Sequence, residues 1–286
     1  MTLRNRINAP DILIAPGVYD GLTAALATDA GFEALYLSGA AVAYTRLGRP
    51  DIGLSTASEM TDTMALIADR TDLPVIMDAD TGFGNALNAR RTMQSYERAG
   101  ASALQVEDQT YPKRCGHLSD KSLISNQEMS GKIAAMADAR RHDTLIIART
   151  DAIAVEGFDA AIDRAGSYIE AGADVLFIEA PRDSRELSRI ADSFKGRVPL
   201  LANMVEGGAT PISSANTLQD LGFDIVIFPG GIVRALAKTA QDYYASLMKN
   251  GSNKAFSERM HDFDGLNAAI GTPDMLALGK RFDGKC

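Results

Sequence analysis

The stretch "LIIARTDAIAVEGFDAAIDRAGSYIEAGADVLFIEA", Leu145 to Ala180, decides the fold. It opens with the apolar run "LIIARTD" (Leu145–Asp151) and closes with "VLFIEA" (Val175–Ala180). Neither run alternates, so both read as strands covered on two faces, the pattern of a parallel sheet. Between them "GFDAAIDRAGSYIEAGADV" spaces its apolar residues as one face of a helix and ends at Gly172, where the chain must turn. Strand, amphipathic helix, glycine and strand form one parallel βαβ unit.

The same grammar extends in both directions. Upstream lie "ILIAPG" (Ile12–Gly17), "ALYLSG" (Ala34–Gly39), "PVIMDAD" (Pro74–Asp80) and "ALQVED" (Ala103–Asp108). Downstream lie "PLLANM" (Pro199–Met204) and "DIVIFPG" (Asp224–Gly230). Gly31, Gly100 and Gly222 occupy the same stop position as Gly172, and "TASE" (Thr56–Glu59) and "SREL" (Ser184–Leu187) read as helix starts. Eight strands alternating with helices within 286 residues predict a (β/α)8 TIM barrel. A doubly wound open sheet is the runner-up. No Gly-rich dinucleotide loop follows the first strand, so nothing supports nicotinamide chemistry.

Composition bounds the function. Hydrophobic residues are 46% of the chain and charged residues 23%, enough for a large core. With no Trp and 6% aromatics, that core must be aliphatic. A net charge of -8 argues against nucleic acid or an anionic membrane as partner. The chain shows no membrane-length apolar run and no signal-peptide pattern at its N-terminus. Two cysteines, Cys115 and Cys286, make no disulfide framework, so a reducing, cytoplasmic setting is expected.

Active sites of this fold sit at strand C-termini. Here those ends carry Ser38, Asp78, Asp80, Glu107, Asp108, Arg149, Asp151, Glu179 and Asn203. Asp78 and Asp80 stand two apart, which in a strand puts both carboxylates on one face. They either cap the next turn or hold a hard cation, and Glu107 on the next strand tips the balance towards Mg²⁺, with Mn²⁺ as the alternative. Arg149 closes an apolar strand and must be paired, either to Glu179 or Asp151 or to a substrate carboxylate. Asn203 and Glu206 frame a turn at Gly207–Gly208. Arg234 starts the last barrel helix or is an exposed helix residue. Cys115 sits in "KRCGH" beside Lys113 and Arg114, cations that draw a thiol's pKa down from its unperturbed ~8.5. The plainer reading is a bystander thiol in a loop; the chemical one is a nucleophile or proton donor. His117 is a loop or substrate contact first and a base second.

"YLSGAAVAYTRLGRPDIG", "DADTGFGNALNARRTM", "QVEDQTYPKRCGHLSDK", "IIARTDAIAVEGFDAAIDRA" and "LLANMVEGGATP" resemble, in order, motifs of the isocitrate lyase/phosphoenolpyruvate mutase superfamily. The resemblance runs from about Ile14 to Arg234, and its cysteine loop points to the lyase branch. It implies one barrel domain across the chain, with a helical extension from about residue 235 to 286. It implies a homotetramer with a C-terminal helix swapped between subunits, and a small dicarboxylate substrate. It implies Mg²⁺ at Asp78 and Asp80, with Ser38, Gly39, Ala40 and Asp51 around the substrate's keto-acid half. Gly116, His117, Glu179, Arg149, Asn203 and Arg234 would complete the substrate site. Cys115 would donate the proton from a gating loop, while Tyr36 or Glu107 would take one from the substrate hydroxyl. The expected activity is Mg²⁺-dependent retro-aldol cleavage of a 2-hydroxy diacid. Oxaloacetate hydrolysis or decarboxylation, or mutase-like chemistry, are the alternatives, and a barrel kept as a binding protein is a third class. Glu206-Gly207-Gly208 and Phe263 stand where methylisocitrate lyases carry "EFG" and an arginine, which turns the expectation towards 2-alkylmalates and 2,3-dimethylmalate. Ala40 replaces a frequent glycine and narrows the pocket.

Overall fold

The computed structural model describes residues 2–116 and 120–283. Its eight strands are β1 (Leu13–Val18), β2 (Leu35–Leu37), β3 (Val75–Asp78) and β4 (Ala103–Glu107), then β5 (Leu145–Thr150), β6 (Val175–Ile178), β7 (Leu200–Asn203) and β8 (Ile225–Phe228). All pair in parallel and in sequence order, and β1 closes on β8 with Leu13 opposite Ile225. Closure removes both sheet edges and excludes the open-sheet reading.

Period-two alternation positions the site. Leu13, Ala15, Tyr36, Ile76, Ala103, Leu145, Ile147, Val175, Phe177, Leu201, Ile225 and Ile227 form one buried core. Extending each row by a further step of two reaches Ser38, Asp78, Arg149, Glu179 and Asn203, and two steps beyond Ala103, past Gln105, reach Glu107. The rim is thus the polar top layer of an aliphatic core. Leu3 and Ile7, from a short helix Leu3–Ile7, join that core; five residues are too few to show a helical period in the sequence.

Three local expectations change. The strand ends at Asp78, so Asp80 lies in a turn with φ +45 and does not share a strand face with it. Asp108, one residue past Glu107, has the opposite parity. Its carboxylate accepts hydrogen bonds from Thr150 and Tyr168, both at 2.7 Å, from the Asp151 N–H at 3.0 Å and from Arg164. It therefore welds strands to the helix Phe158–Glu170 and leaves the rim to Glu107. Asp183, and not Ser184, caps the helix Ser184–Phe194, because its carboxylate reaches the N–H groups of Arg185 and Glu186. Thr56 and Glu59 form the expected capping box.

The chain divides into two compact units, residues 1–231 and 232–286. The second comprises most of the helix Gly231–Asn250, a 3-10 turn Asn253–Arg259 and helices Phe263–Ala269 and Thr272–Phe282. Within it Phe256 packs edge-on against Tyr243, under Arg259. Among the described residues no helix is long and apolar enough to cross a membrane.

Candidate active site

The turn after β3 carries the acids. Asp78 Oδ1 accepts the Asp80 N–H at 3.1 Å, and Oδ2 accepts the Gly39 N–H at 3.2 Å. A Cβ on Gly39 would lie 2.9 Å from that oxygen, so only glycine permits the approach. Ser38 caps the short helix Gly39–Val42, which contains Ala40, through Oγ and the Ala41 N–H. Asp51 and Asp80 share the buried Lys113 ammonium at 2.5 and 2.9 Å. The Lys113 ammonium is thereby drawn to carboxylates. Burial pushes Asp80 up to about 6 against the pull of Lys113, with Asp78 and Asp51 adding to the rise.

Glu107 Oε2 lies 3.2 Å from Arg149 Nη1, while its buried Oε1 has no hydrogen-bond partner. Burial raises Glu107 well above the usual carboxylate range, more than Arg149 lowers it. Arg149 sends Nε and Nη2 to Asp151 at 3.0 and 3.1 Å, above the Phe177 ring. Burial alone would raise Asp151; Arg149 and Lys121 outweigh it and hold it low. The Tyr36 hydroxyl donates to Gln105 Oε1 at 2.5 Å, and Gln105 Nε2 stands 3.5 Å from both Asp78 and Glu107. Burial lifts Tyr36 well above its ordinary pKa. The Tyr36 hydroxyl is thus engaged with Gln105, whereas Glu107 keeps one carboxylate oxygen without a hydrogen-bond partner.

Cys115 is a half-buried thiol whose N–H donates to the Asp51 carbonyl at 3.2 Å. The buried Gly116 follows; a Cβ there would fall 2.4 Å from Arg149 Nη2 and 2.7 Å from Glu179 Oε1. Lys121 ties the Gly116 carbonyl to Asp151, 2.9 Å from its Oδ1. Gln109 clasps the Arg114 peptide from both sides, and the Arg114 guanidinium faces Asp120 at 3.6 Å. His117 lies outside the described residues. Asn203 Nδ2 donates to Glu179 at 3.2 Å. Arg234 stands in the first turn of the helix Gly231–Asn250, within the second unit.

The barrel therefore gathers Tyr36, Ser38, Asp51, Asp78, Asp80, Glu107, Cys115, Gly116, Arg149, Glu179 and Asn203 at or beside one rim. Sequence reasoning missed Gln105 and the acid-pairing of Lys113 and Lys121. Gln105 was findable, since it shares the inward parity of Ala103 and Glu107. The lysines were not, because their partners lie far along the chain.

The donor set fits a hard divalent ion. Asp51, Asp78, Asp80, Glu107, Asp151 and Glu179 are buried acids, set among the described residues against the bases Lys113, Lys121 and Arg149. Asp80 and Glu107 are raised chiefly by burial, and Glu107 Oε1 has no hydrogen-bond partner, so both acids are open to a cation. No three His, Cys, Asp or Glu residues form a ready cage among the described residues. Two carboxylates completed by water and substrate is the arrangement Mg²⁺ favours.

A family model described as phosphoenolpyruvate phosphomutase matches residues 3–248. The chain is 47% identical over 261 residues to 2-methylisocitrate lyase of Aeropyrum pernix, covering 91% of this chain and 83% of that one. It is 40% identical over 270 residues to 2,3-dimethylmalate lyase of Eubacterium barkeri, covering 94% and 93%. Among solved structures, oxaloacetate acetylhydrolase in complex with 3,3-difluorooxalacetate superposes with a TM-score of 0.93 at 31% identity, covering 100% and 97%. Phosphonopyruvate hydrolase in complex with oxalate and Mg²⁺ superposes with a TM-score of 0.88 at 31% identity, covering 99% of each chain.

Proposed function

This chain belongs to the phosphoenolpyruvate mutase/isocitrate lyase superfamily, in its lyase branch, and on that premise we propose that it cleaves the C2–C3 bond of a small 2-hydroxy diacid, a 2-alkylmalate or 2,3-dimethylmalate, in a Mg²⁺-dependent reaction. The observation that carries this reading is the close approach of Gly116, next to Cys115, to both Arg149 and Glu179 at an acid-lined rim. This supports reading Cys115 as the proton donor and Arg149 as a contact for a substrate carboxylate.

Asp78 and Asp80 would hold the divalent ion, which would supply Lewis-acid charge to the reaction. Glu107, whose Oε1 has no hydrogen-bond partner in the protein, takes the hydroxyl proton as carboxylate. The oxygen's electron pair closes to a carbonyl, the C2–C3 bond breaks, and its electrons pass to C3 as a carboxylate enolate. Cys115 gives its thiol proton to C3, releasing a 2-keto acid and a carboxylic acid. Arg149, held by Asp151, and Asn203 orient the substrate carboxylates; Tyr36 keeps Gln105 turned towards Asp78 and Glu107. Ser38, Gly39, Ala40 and Asp51 shape the keto-acid side, and His117 and Arg234 add contacts by the resemblance. Phe263 cannot take a third carboxylate, which weighs against methylisocitrate.

The exposed Phe263 (82%), Phe282 (78%) and Met275 (67%) support a homotetramer in which these C-terminal helices are buried by exchange between subunits. A cytoplasmic setting suits a reduced Cys115. The likeness to oxaloacetate acetylhydrolase favours a second reading, hydrolysis of oxaloacetate to acetate and oxalate. The test is a panel of malate, 2-methylmalate, 2,3-dimethylmalate, isocitrate, methylisocitrate and oxaloacetate with Mg²⁺, followed by pyruvate or glyoxylate release. Fastest cleavage of an alkylated malate is expected. Methylisocitrate as the best substrate would overturn the assignment of substrate, and oxalate formation from oxaloacetate alone would favour the second reading.

A further inference from the structure

We propose that Lys132 is a positioning residue that holds the Asp78–Asp80 turn in its ion-binding form. The inference rests on the metal reading above and adds a residue which that reading does not use. Lys132 lies in the middle of the helix Asn126–Ala139 and is 3% exposed. A lysine there is costly to bury, and no carboxylate forms an ion pair with it among the described residues. Its Nζ instead donates to the Thr81 carbonyl at 3.1 Å, from behind the turn.

The hydrogen bonds of that turn explain why the lysine is there. The Ala79 carbonyl accepts the Gly82 N–H, and the Asp80 carbonyl accepts the Glu107 N–H. The Gly82 carbonyl accepts the Thr92 hydroxyl at 3.2 Å. Thr81 is the remaining link, and Lys132 supplies its donor. The turn needs this bracing, because Asp80 takes φ +45 without being a glycine and Gly82 takes φ +81. Asp80 is also pressed by its acidic neighbours Asp78 and Asp51. The buried ammonium, hydrogen-bonded to the Thr81 carbonyl, braces the turn from behind. Without it the buried carbonyl is orphaned and the turn can relax, carrying Asp80 away from Asp78.

The test compares wild type, Lys132→Met, Lys132→Gln and Lys132→Arg by Mn²⁺ binding to the metal-free protein, using the electron paramagnetic resonance of free Mn²⁺. Amide hydrogen exchange over residues 78–84 is measured alongside. Lys132→Met should weaken Mn²⁺ binding by about tenfold or more and speed exchange in this segment, and Lys132→Arg should restore both. Should the methionine variant fail to fold, glutamine, which keeps a donor without the charge, stands in for it. A folded Lys132→Met or Lys132→Gln variant with wild-type Mn²⁺ affinity and wild-type exchange overturns the proposal. Wild-type protein that binds no Mn²⁺ overturns the metal reading instead. In that case faster exchange in Lys132→Met, reversed by arginine, still supports the positioning role, and unchanged exchange refutes it.

Discussion

Asp80 links the charge of the site to the stability of the chain. Burial lifts its carboxyl from the ordinary 3.8 to about 6. Between those values the native chain binds more protons than the unfolded one, so this group makes stability fall as pH rises. In metal-free protein its share of the loss from pH 4 to 6.5 should be on the order of 1–3 kcal/mol, and Asp80→Asn should lessen the slope by that share. Urea unfolding at the two pH values, with a chelator present, reads the difference. An equal slope in wild type and variant would contradict the assignment. Lys113 carries a lesson at the same scale. Adjacency in sequence put its charge on Cys115, but a flexible four-carbon stem delivers the ammonium to Asp51, 62 residues away. Such pairings are tertiary facts, and no local pattern announces them.

At the scale of elements, the strands were legible because burial on both faces writes unbroken apolar runs. Their polar ends were legible only once parity was applied, and Asp108 shows the cost of neglecting it. One step beyond Glu107, it faces the helix Phe158–Glu170 and satisfies Thr150, Tyr168 and the Asp151 N–H together. Asp108→Ala would strand two hydroxyls and Arg164 in a buried joint, and should destabilise the fold by about 3–5 kcal/mol. Chemical denaturation measures this; a loss below 1 kcal/mol would show that water replaces the carboxylate at little cost. The turn bearing Asp80 is likewise a product of several elements, since Thr92 and Lys132 reach it from two different helices. Its φ of +45 could not be read from "DAD" alone.

At the scale of the molecule, the closed barrel turns eight separate strand ends into one rim, and so makes a site from residues spread between Tyr36 and Asn203. The family resemblance added roles that pattern alone left open, above all for Cys115. Residues 232–286 form their own unit with an apolar exterior, which sequence periodicity showed only as helices. The central claim is that this rim breaks a carbon–carbon bond and protonates the carbanion that results. It is tested most directly by turning over the fastest diacid of the panel with Mg²⁺ in D₂O and identifying the products by NMR. One 2-keto acid and one carboxylic acid carrying a single new deuterium next to its carboxylate are expected. The rate should fall at least about a hundredfold in Cys115→Ser. Oxalate or carbon dioxide in place of the keto acid, or an unchanged rate in Cys115→Ser, would contradict it.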